Sequence, residues 1–335
     1  MRRNSLFLTL ATATMMVGAF IRPAQAAPPA DSSFMNLTWT LGATIPTAHQ
    51  EAAAAVAGSK IYVISGEDQN CSTTGGGTVT RAVDIYDTAT NTFAPGPSVN
   101  IGRTQAPLAA TVGNSIYLIG GYASCNGLSV VQVEKLDLNT NTWSVLGSGS
   151  NLPAPLDGYY HCGAAQGSKI YYFEHQGIGV FDTTTNTWNV LTASPLLTPS
   201  WFCRATTLGS QIVITGPGLN GSQKHYSQRI LIFDTNTGNM TQLPAITLPF
   251  AEHAAALLLG SVVVAGGDFT ENSVQAISNP ICRVCVSANN SLVSTLTDLP
   301  VGSDDAVGGA VNNVFYILGG NSMGDNHPAV LIGIP

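Results

Sequence analysis

Asp182-Thr-Thr-Thr-Asn-Thr-Trp188 is the stretch from which the fold can be read. Versions of it stand at Asp137-Leu-Asn-Thr-Asn-Thr-Trp143, Asp87-Thr-Ala-Thr-Asn-Thr-Phe93 and Asp234-Thr-Asn-Thr-Gly-Asn-Met240. An apolar run precedes each: Ile178–Phe181, Val133–Leu136, Val83–Tyr86 and Ile230–Phe233. Asp, Asn and Thr side chains bond their own nearby backbone and favour turns, and the aromatic residue opens a new strand. Each copy is therefore a hairpin. A self-similar unit recurring at roughly 50 residues marks a repeat architecture.

Working outward, each hairpin is preceded by two more strands. The first unit runs Glu51–Val56, a turn, then Ile61–Gly66, before Val83–Tyr86 and Phe93. The second runs Ala106–Val112, Ile116–Gly121, Val130–Leu136 and Trp143–Leu146. The third runs Tyr160–Ala165, Ile170–Phe173, Gly179–Phe181 and Trp188–Leu191, and the fourth Phe202–Thr207, Ile212–Gly216, Ile230–Phe233 and Met240–Leu243. The fifth runs His253–Leu259 and Val262–Gly267, then either Gln275–Ile277 or Ile281–Val286, then Leu292–Leu296. The sixth has only Asp305–Val311, Val314–Gly320 and Ala329–Ile334. Near the other end, Asn36-Leu-Thr-Trp39-Thr-Leu-Gly42 is a lone copy of the last strand. Pairing the two ends closes a ring and leaves no open edge. The expectation is an all-β, six-bladed propeller over 36–335, its last blade closed by the strand around Trp39.

Ile116-Tyr-Leu-Ile-Gly-Gly121 followed by Asn141-Thr-Trp143 resembles the kelch repeat. The aromatic in the second strand, the double glycine after it and the distal tryptophan carry the match. Ser65-Gly66, Glu174-His175 and Gly216-Pro217 replace the double glycine in other units. The resemblance implies blades whose first strand lines a central channel. It also implies a ligand face where the loop entering each first strand meets the loop after each second strand.

The remaining composition bounds the class. Arg2 and Arg3, the apolar run Leu6–Phe20 and Ala24-Gln25-Ala26 read as a signal peptide over 1–26, and 27–35 as a short linker. The expected location is secreted, or periplasmic in a Gram-negative source. Removal of 1–26 takes away three arginines and moves the formal charge from −7 to −10. Such an acidic chain repels phosphate backbones, so nucleic acid is not an expected partner. No basic amphipathic helix suggests membrane insertion. The chain is read as a monomer. Its Asn-x-Ser/Thr sequons at Asn36, Asn70, Asn220, Asn239 and Asn289 matter only in a eukaryotic secretory route.

Counting back from each first hairpin gives equivalent positions around the channel mouth: Gln50/Glu51, Gln105/Ala106, Tyr159/Tyr160, Trp201/Phe202, Glu252/His253 and Asp304/Asp305. Units five, six and one are neighbours in a closed ring. One side then carries Glu51, Glu252, His253, Asp304 and Asp305, and the other Tyr159, Tyr160, Trp201 and Phe202. Aromatic faces stack on sugars or cations, and carboxylates accept from hydroxyls or amines. The bland alternative is a channel plugged by aromatics beside solvated acids. Clustered carboxylates can also share a proton or hold calcium, although no metal or other cofactor is expected.

Six cysteines in an exported chain suggest disulfides. Cys71 and Cys125 follow second strands in adjacent units, and Cys162 and Cys203 open first strands in adjacent units. Each is a candidate pair, and Cys282 with Cys285 is left over. One isolated Cys-x-x-Cys is weak evidence for zinc.

No nucleophile elbow, P-loop, His-Glu-x-x-His or dinucleotide fingerprint is present. His49, His161, His175 and His327 are scattered and read as core or surface residues. The leading expectation is a binding module for a glycan or protein partner, with no catalytic residue. A kelch-type carbohydrate-active enzyme is the alternative. Galactose-oxidase-like proteins resemble this chain only in the propeller, and the chain ends at Pro335 without their added domain. Sialic-acid mutarotases share the single-ring architecture. The Glu/Arg pair of their fourth blade has no clean match in Asn220–Arg229. A structural surface protein is the third reading.

Overall fold

The computed structural model describes residues 36–68, 77–125, 127–158, 161–197, 203–216, 228–243, 252–267, 274–278, 293–321 and 328–335. Within them lie six four-stranded antiparallel sheets. The strand β1 spans Thr38–Thr44 and belongs to the last sheet. The first blade is β2 (Ala53–Ala57), β3 (Lys60–Ile64), β4 (Val83–Asp87) and β5 (Thr92–Pro95). The second is β6 (Leu108–Val112), β7 (Ser115–Ile119), β8 (Glu134–Asp137) and β9 (Thr142–Val145). The third is β10 (Cys162–Gln166), β11 (Lys169–Glu174), β12 (Gly177–Asp182) and β13 (Thr187–Thr192). The fourth is β14 (Arg204–Leu208), β15 (Gln211–Thr215), β16 (Ile230–Asp234) and β17 (Met240–Leu243). The fifth is β18 (Ala254–Leu258), β19 (Ser261–Ala265), β20 (Val274–Ser278) and β21 (Val293–Thr295), so the third strand is the earlier of the two candidates. The sixth is β22 (Val307–Val311), β23 (Val314–Leu318) and β24 (Ala329–Ile334). The strand β1 completes it in the order β1-β24-β23-β22, with Trp39 opposite Gly333. The expected ring closure is therefore present.

The hairpin turns behave as their side chains predict. Asp137 Oδ1 accepts from the Asn139 and Thr140 amides, and Asp182 Oδ1 accepts from the Thr184 amide. The residue at the tip of three turns, Asn91, Asn141 or Asn186, takes a left-handed φ of 54° to 55°, which asparagine tolerates better than most residues. The distal tryptophan then locks neighbouring blades. Trp143 Nε1 donates to Pro97 O at 2.9 Å, Trp188 Nε1 to Ser150 O at 2.7 Å, and Trp39 Nε1 to Thr297 O at 3.0 Å. Each acceptor lies on the segment arriving from the preceding blade, so one local motif sets both the hairpin and the blade order.

The sheets pack face to face. Tyr117 of β7 meets Phe181 of β12 at 5.8 Å between ring centroids, and Tyr171 of β11 meets Phe233 of β16 at 5.5 Å. The innermost strands β2, β6, β10, β14, β18 and β22 contact one another in cyclic order. They read AAAVA, LAATV, CGAAQ, RATTL, AAALL and VGGAV. Small residues dominate because six backbones converge there. A Cβ on Gly308 would sit 2.9 Å from the Phe315 ring and 3.0 Å from Ala254 Cβ.

Candidate functional site

The mouth of the channel is built by backbone before any side chain acts. In the first, second and sixth blades a glycine after the second strand brings the loops together. Gly121 has φ 80°, and a Cβ there would lie 2.8 Å from Thr104 O. Only glycine meets both demands. The next residue then bridges back to the entering loop, pairing Thr104 with Tyr122 and, in the sixth blade, Asp304 with Asn321. In the first blade the same bridge joins Gln50 and Glu67 behind Gly66.

Two residues before the first strand the chain turns through a left-handed residue that is not glycine. Glu51 (φ 48°), Ala106 (51°), Glu252 (55°) and Asp305 (55°) share it. Ala106 shows that the turn belongs to the blade entry and not to the acids. These turns are also linked: the Ala106 amide donates to Glu51 O at 3.0 Å, and the Glu51 amide to Asp305 O at 3.2 Å. Each such residue costs of the order of 1 kcal/mol, held by the surrounding bonds.

Three of these positions carry carboxylates, on the fifth, sixth and first blades. One oxygen each from Glu51, Glu252 and Asp305 lies within 4.8 Å of the others. This is the reach of one shared cation. The acidic arc expected from counting thus assembles from three of its five members. Asp304 stands aside and accepts the Asp305 amide at 2.9 Å. His253 is a correction: it is fully buried one residue inside the turn, with Nε2 on Thr215 Oγ1 at 2.8 Å. Burial first, and the Arg204 charge second, hold its pKa well below the ordinary histidine value, so it adds no positive charge at neutral pH. Tyr159, Tyr160, Trp201 and Phe202 lie outside the described residues.

Glu51 is 8% exposed. Its Oε2 accepts from Thr104 Oγ1 at 3.2 Å, the Gln105 amide at 3.1 Å and Gln105 Nε2 at 2.7 Å. Thr104 Oγ1 also reaches Glu67 Oε2 at 2.6 Å, bringing a second buried carboxylate beside the first. Burial is the main cause that raises the Glu51 pKa to about 7, and the Glu67 charge adds to it. The bonds from Thr104 and Gln105 and the charge of Arg204 oppose the rise. The folded state therefore keeps this proton above the ordinary carboxyl value of 4.5. Its stability falls as pH rises from 4.5 to about 7 and levels off beyond. Glu51→Gln keeps an acceptor for the three donors and removes the titration. The variant should exceed the parent by about 3 kcal/mol at pH 8 and match it near pH 4.5. Urea midpoints at the two pH values check this, and equal differences at both would refute it.

Arg204 was not among the expected site residues. It opens β14, where the other five inner strands open with Ala53, Leu108, Cys162, Ala254 and Val307. It is the only charged residue in the six inner strands, and that pattern was a legible signal. The residue lines a channel cavity of about 120 Å3, together with Ala52, Ala106, Pro107, His161 and Cys203. Its guanidinium Nη1 donates to the adjacent Cys203 O at 3.3 Å, and Nη2 reaches the entry of the sixth blade at Ala306 O, 3.4 Å away. Burial lowers its pKa, while the charges of Glu252, Asp305 and Glu51 hold it up.

The disulfide Cys162–Cys203 is formed, with Cα atoms 5.5 Å apart, joining β10 to the residue before β14. Cys125 is also disulfide-bonded. Cys71, Cys282 and Cys285 lie outside the described residues. His161 is buried, stacked on Tyr172 at 4.5 Å, with its pKa pushed down to about 3, chiefly by burial. His49 is buried between Ser65 O and Asp84 Oδ2, the latter at 3.1 Å. Both are core residues, as the sequence suggests, while His327 lies outside the described residues.

A profile of the KLHDC2/KLHL20/DRC7 Kelch-repeats domain matches residues 106–320, more than half of the chain. The chain belongs to the kelch-repeat family. Among curated kelch relatives, Kelch-like protein 25 of Xenopus tropicalis is 25% identical over 268 residues, covering 77% of this chain and 42% of that protein. Kelch-like protein terF of Aspergillus terreus is 27% identical over 247 residues, covering 69% and 52%. This kelch chain thus spans about half the length of the curated relatives it matches. Among solved structures, that of YjhT superposes with a TM-score of 0.67 at 16% identity, over 87% of this chain and 95% of that one. At that identity the match speaks for the propeller fold alone.

Proposed function

We propose that this kelch propeller is an exported binding module whose channel mouth receives a basic side chain of a protein partner. The observation that carries the reading is the convergence of Glu51, Glu252 and Asp305 within 4.8 Å on three successive blades. Kelch propellers commonly bind proteins. Three carboxylates against one guanidinium leave the mouth negative, which suits a lysine or arginine. Export is supported by the leader pattern in 1–26 and by the disulfides, which persist in oxidising compartments.

The test is a peptide array probed with the secreted chain, run beside a glycan array. Lysine- or arginine-bearing peptides should be retained, and Glu252→Gln should weaken them about tenfold. Retention of sugars in place of peptides would favour the glycan reading, and blank arrays would refute both. The burial of Glu51 beside Glu67 favours an enzyme as the second reading, because it pushes the Glu51 pKa up to about 7, where a general acid–base works. Turnover of a retained sugar, abolished in Glu51→Gln, would establish that reading in place of the module.

A further inference from the structure

We infer that Arg204 determines which cation the channel mouth accepts: its guanidinium serves as the internal counter-ion of Glu51, Glu252 and Asp305, bars divalent metal ions, and leaves a charge suited to one organic cation. The inference rests on the binding-module reading for the identity of that cation, but not for the role of Arg204.

The carboxylate spacing alone resembles a metal site, since hard cations gather oxygens from separate segments. What distinguishes this cluster is a fourth blade. Arg204 comes from β14, and its Nη2 donates to Ala306 O on the segment entering the sixth blade. Ala306 directly follows Asp305, so the guanidinium lies alongside that carboxylate's own turn. The charges that favour the guanidinium are those of Glu252, Asp305 and Glu51, the same three residues.

Two physical consequences follow. A divalent ion placed among the carboxylates would face a fixed positive charge that cannot leave, because arginine does not deprotonate in proteins. An ammonium or guanidinium carries half the charge and approaches through hydrogen bonds, without stripping its neighbours' ligands. Glu51 also faces Glu67, Thr104 and Gln105, so carboxylates outnumber the one guanidinium and the cluster stays net negative. A basic side chain enters such a site with half the charge of a divalent ion.

Terbium luminescence titration of the full chain tests this without knowledge of the partner. The parent should show no saturable site at the mouth. Arg204→Met should gain one, at least about tenfold tighter, because a neighbouring positive charge has gone. Arg204→Met/Glu252→Gln should lose it again, and Arg204→Lys should behave like the parent. Equal binding by parent and Arg204→Met, or no gain in the variant, would overturn the inference. Should Arg204→Met not fold alone, terbium must restore its circular dichroism, and failure to do so overturns the inference equally. A blank peptide array with a terbium gain in Arg204→Met would remove the proposed partner and leave Arg204 in its role. Peptide retention without a terbium gain would do the reverse.

Discussion

Replacing Arg103 with methionine should lower unfolding free energy by about 3–5 kcal/mol, the cost of breaking a buried ion pair from one side. Arg103 and Glu134 are both completely buried, with Nη2 and Oε1 3.1 Å apart. The guanidinium also donates to Gly120 O at 3.0 Å and Gln132 O at 2.9 Å. Glu134 accepts from the Asn100 amide and Nδ2 at 2.8 and 2.9 Å, and from the Ile101 amide at 3.1 Å. The pair thus ties the segment entering the second blade to the glycine corner after β7 and to the start of β8. Burial lowers the Arg103 pKa and Glu134 holds it up. Methionine fills the stem's volume but leaves two carbonyls and a carboxylate without their cation. Arg103→Met/Glu134→Met should recover part of the loss, since the remaining charge leaves too. Denaturant midpoints for the two single variants and the double variant close this cycle. An additive double variant would show that the two residues act independently.

Removing the Cys162–Cys203 bridge as a Ser/Ser pair should cost about 4 kcal/mol on the chain-entropy account of a crosslink. The two residues are 41 positions apart and close a loop containing all four strands of the third blade. Their half-cystines are 6% and 0% exposed, within a cluster of buried side chains that includes Phe173, Ile212 and Ile214. The bridge therefore fastens two neighbouring inner strands at the mouth end of the channel, one residue from Arg204. Guanidinium unfolding of parent and variant, each under non-reducing conditions, gives the difference. An unchanged midpoint would mean that the denatured chain is already held compact by other means.

The acidic mouth and the resident cation differ in how visible they are in the chain. Glu51, Glu252 and Asp305 are found by counting back from repeated turns, because blades in a ring share a register and equivalent positions must converge. The count fails by one residue in the fifth blade. There Glu252 takes the left-handed turn, while His253 points inward to Thr215. Nothing local marks which of two adjacent residues adopts that turn, since Ala106 adopts it as readily as the acids. Glu67 escapes the count because it follows a second strand and meets the site through Thr104.

What the sequence by itself determined about this protein is the repeat. Asp-x-x-x-Asn-Thr-Trp turns, alternating strands and small inner residues are local or periodic, and six copies with one displaced strand admit one closed arrangement. That is why the strand around Trp39 could be assigned to the sixth blade across the whole length of the ring. The tertiary structure alone decided how charges balance. Arg204 is adjacent in sequence to none of the acids that it neutralises, and its neighbours along β14 are the ordinary small residues of an inner strand. Only the closing of the ring brings a side chain of the fourth blade to the carbonyl of Ala306 and the carboxylates of three others. Coulomb energy depends on separation in space and on the loss of water between charges, and neither quantity is written in the order of residues.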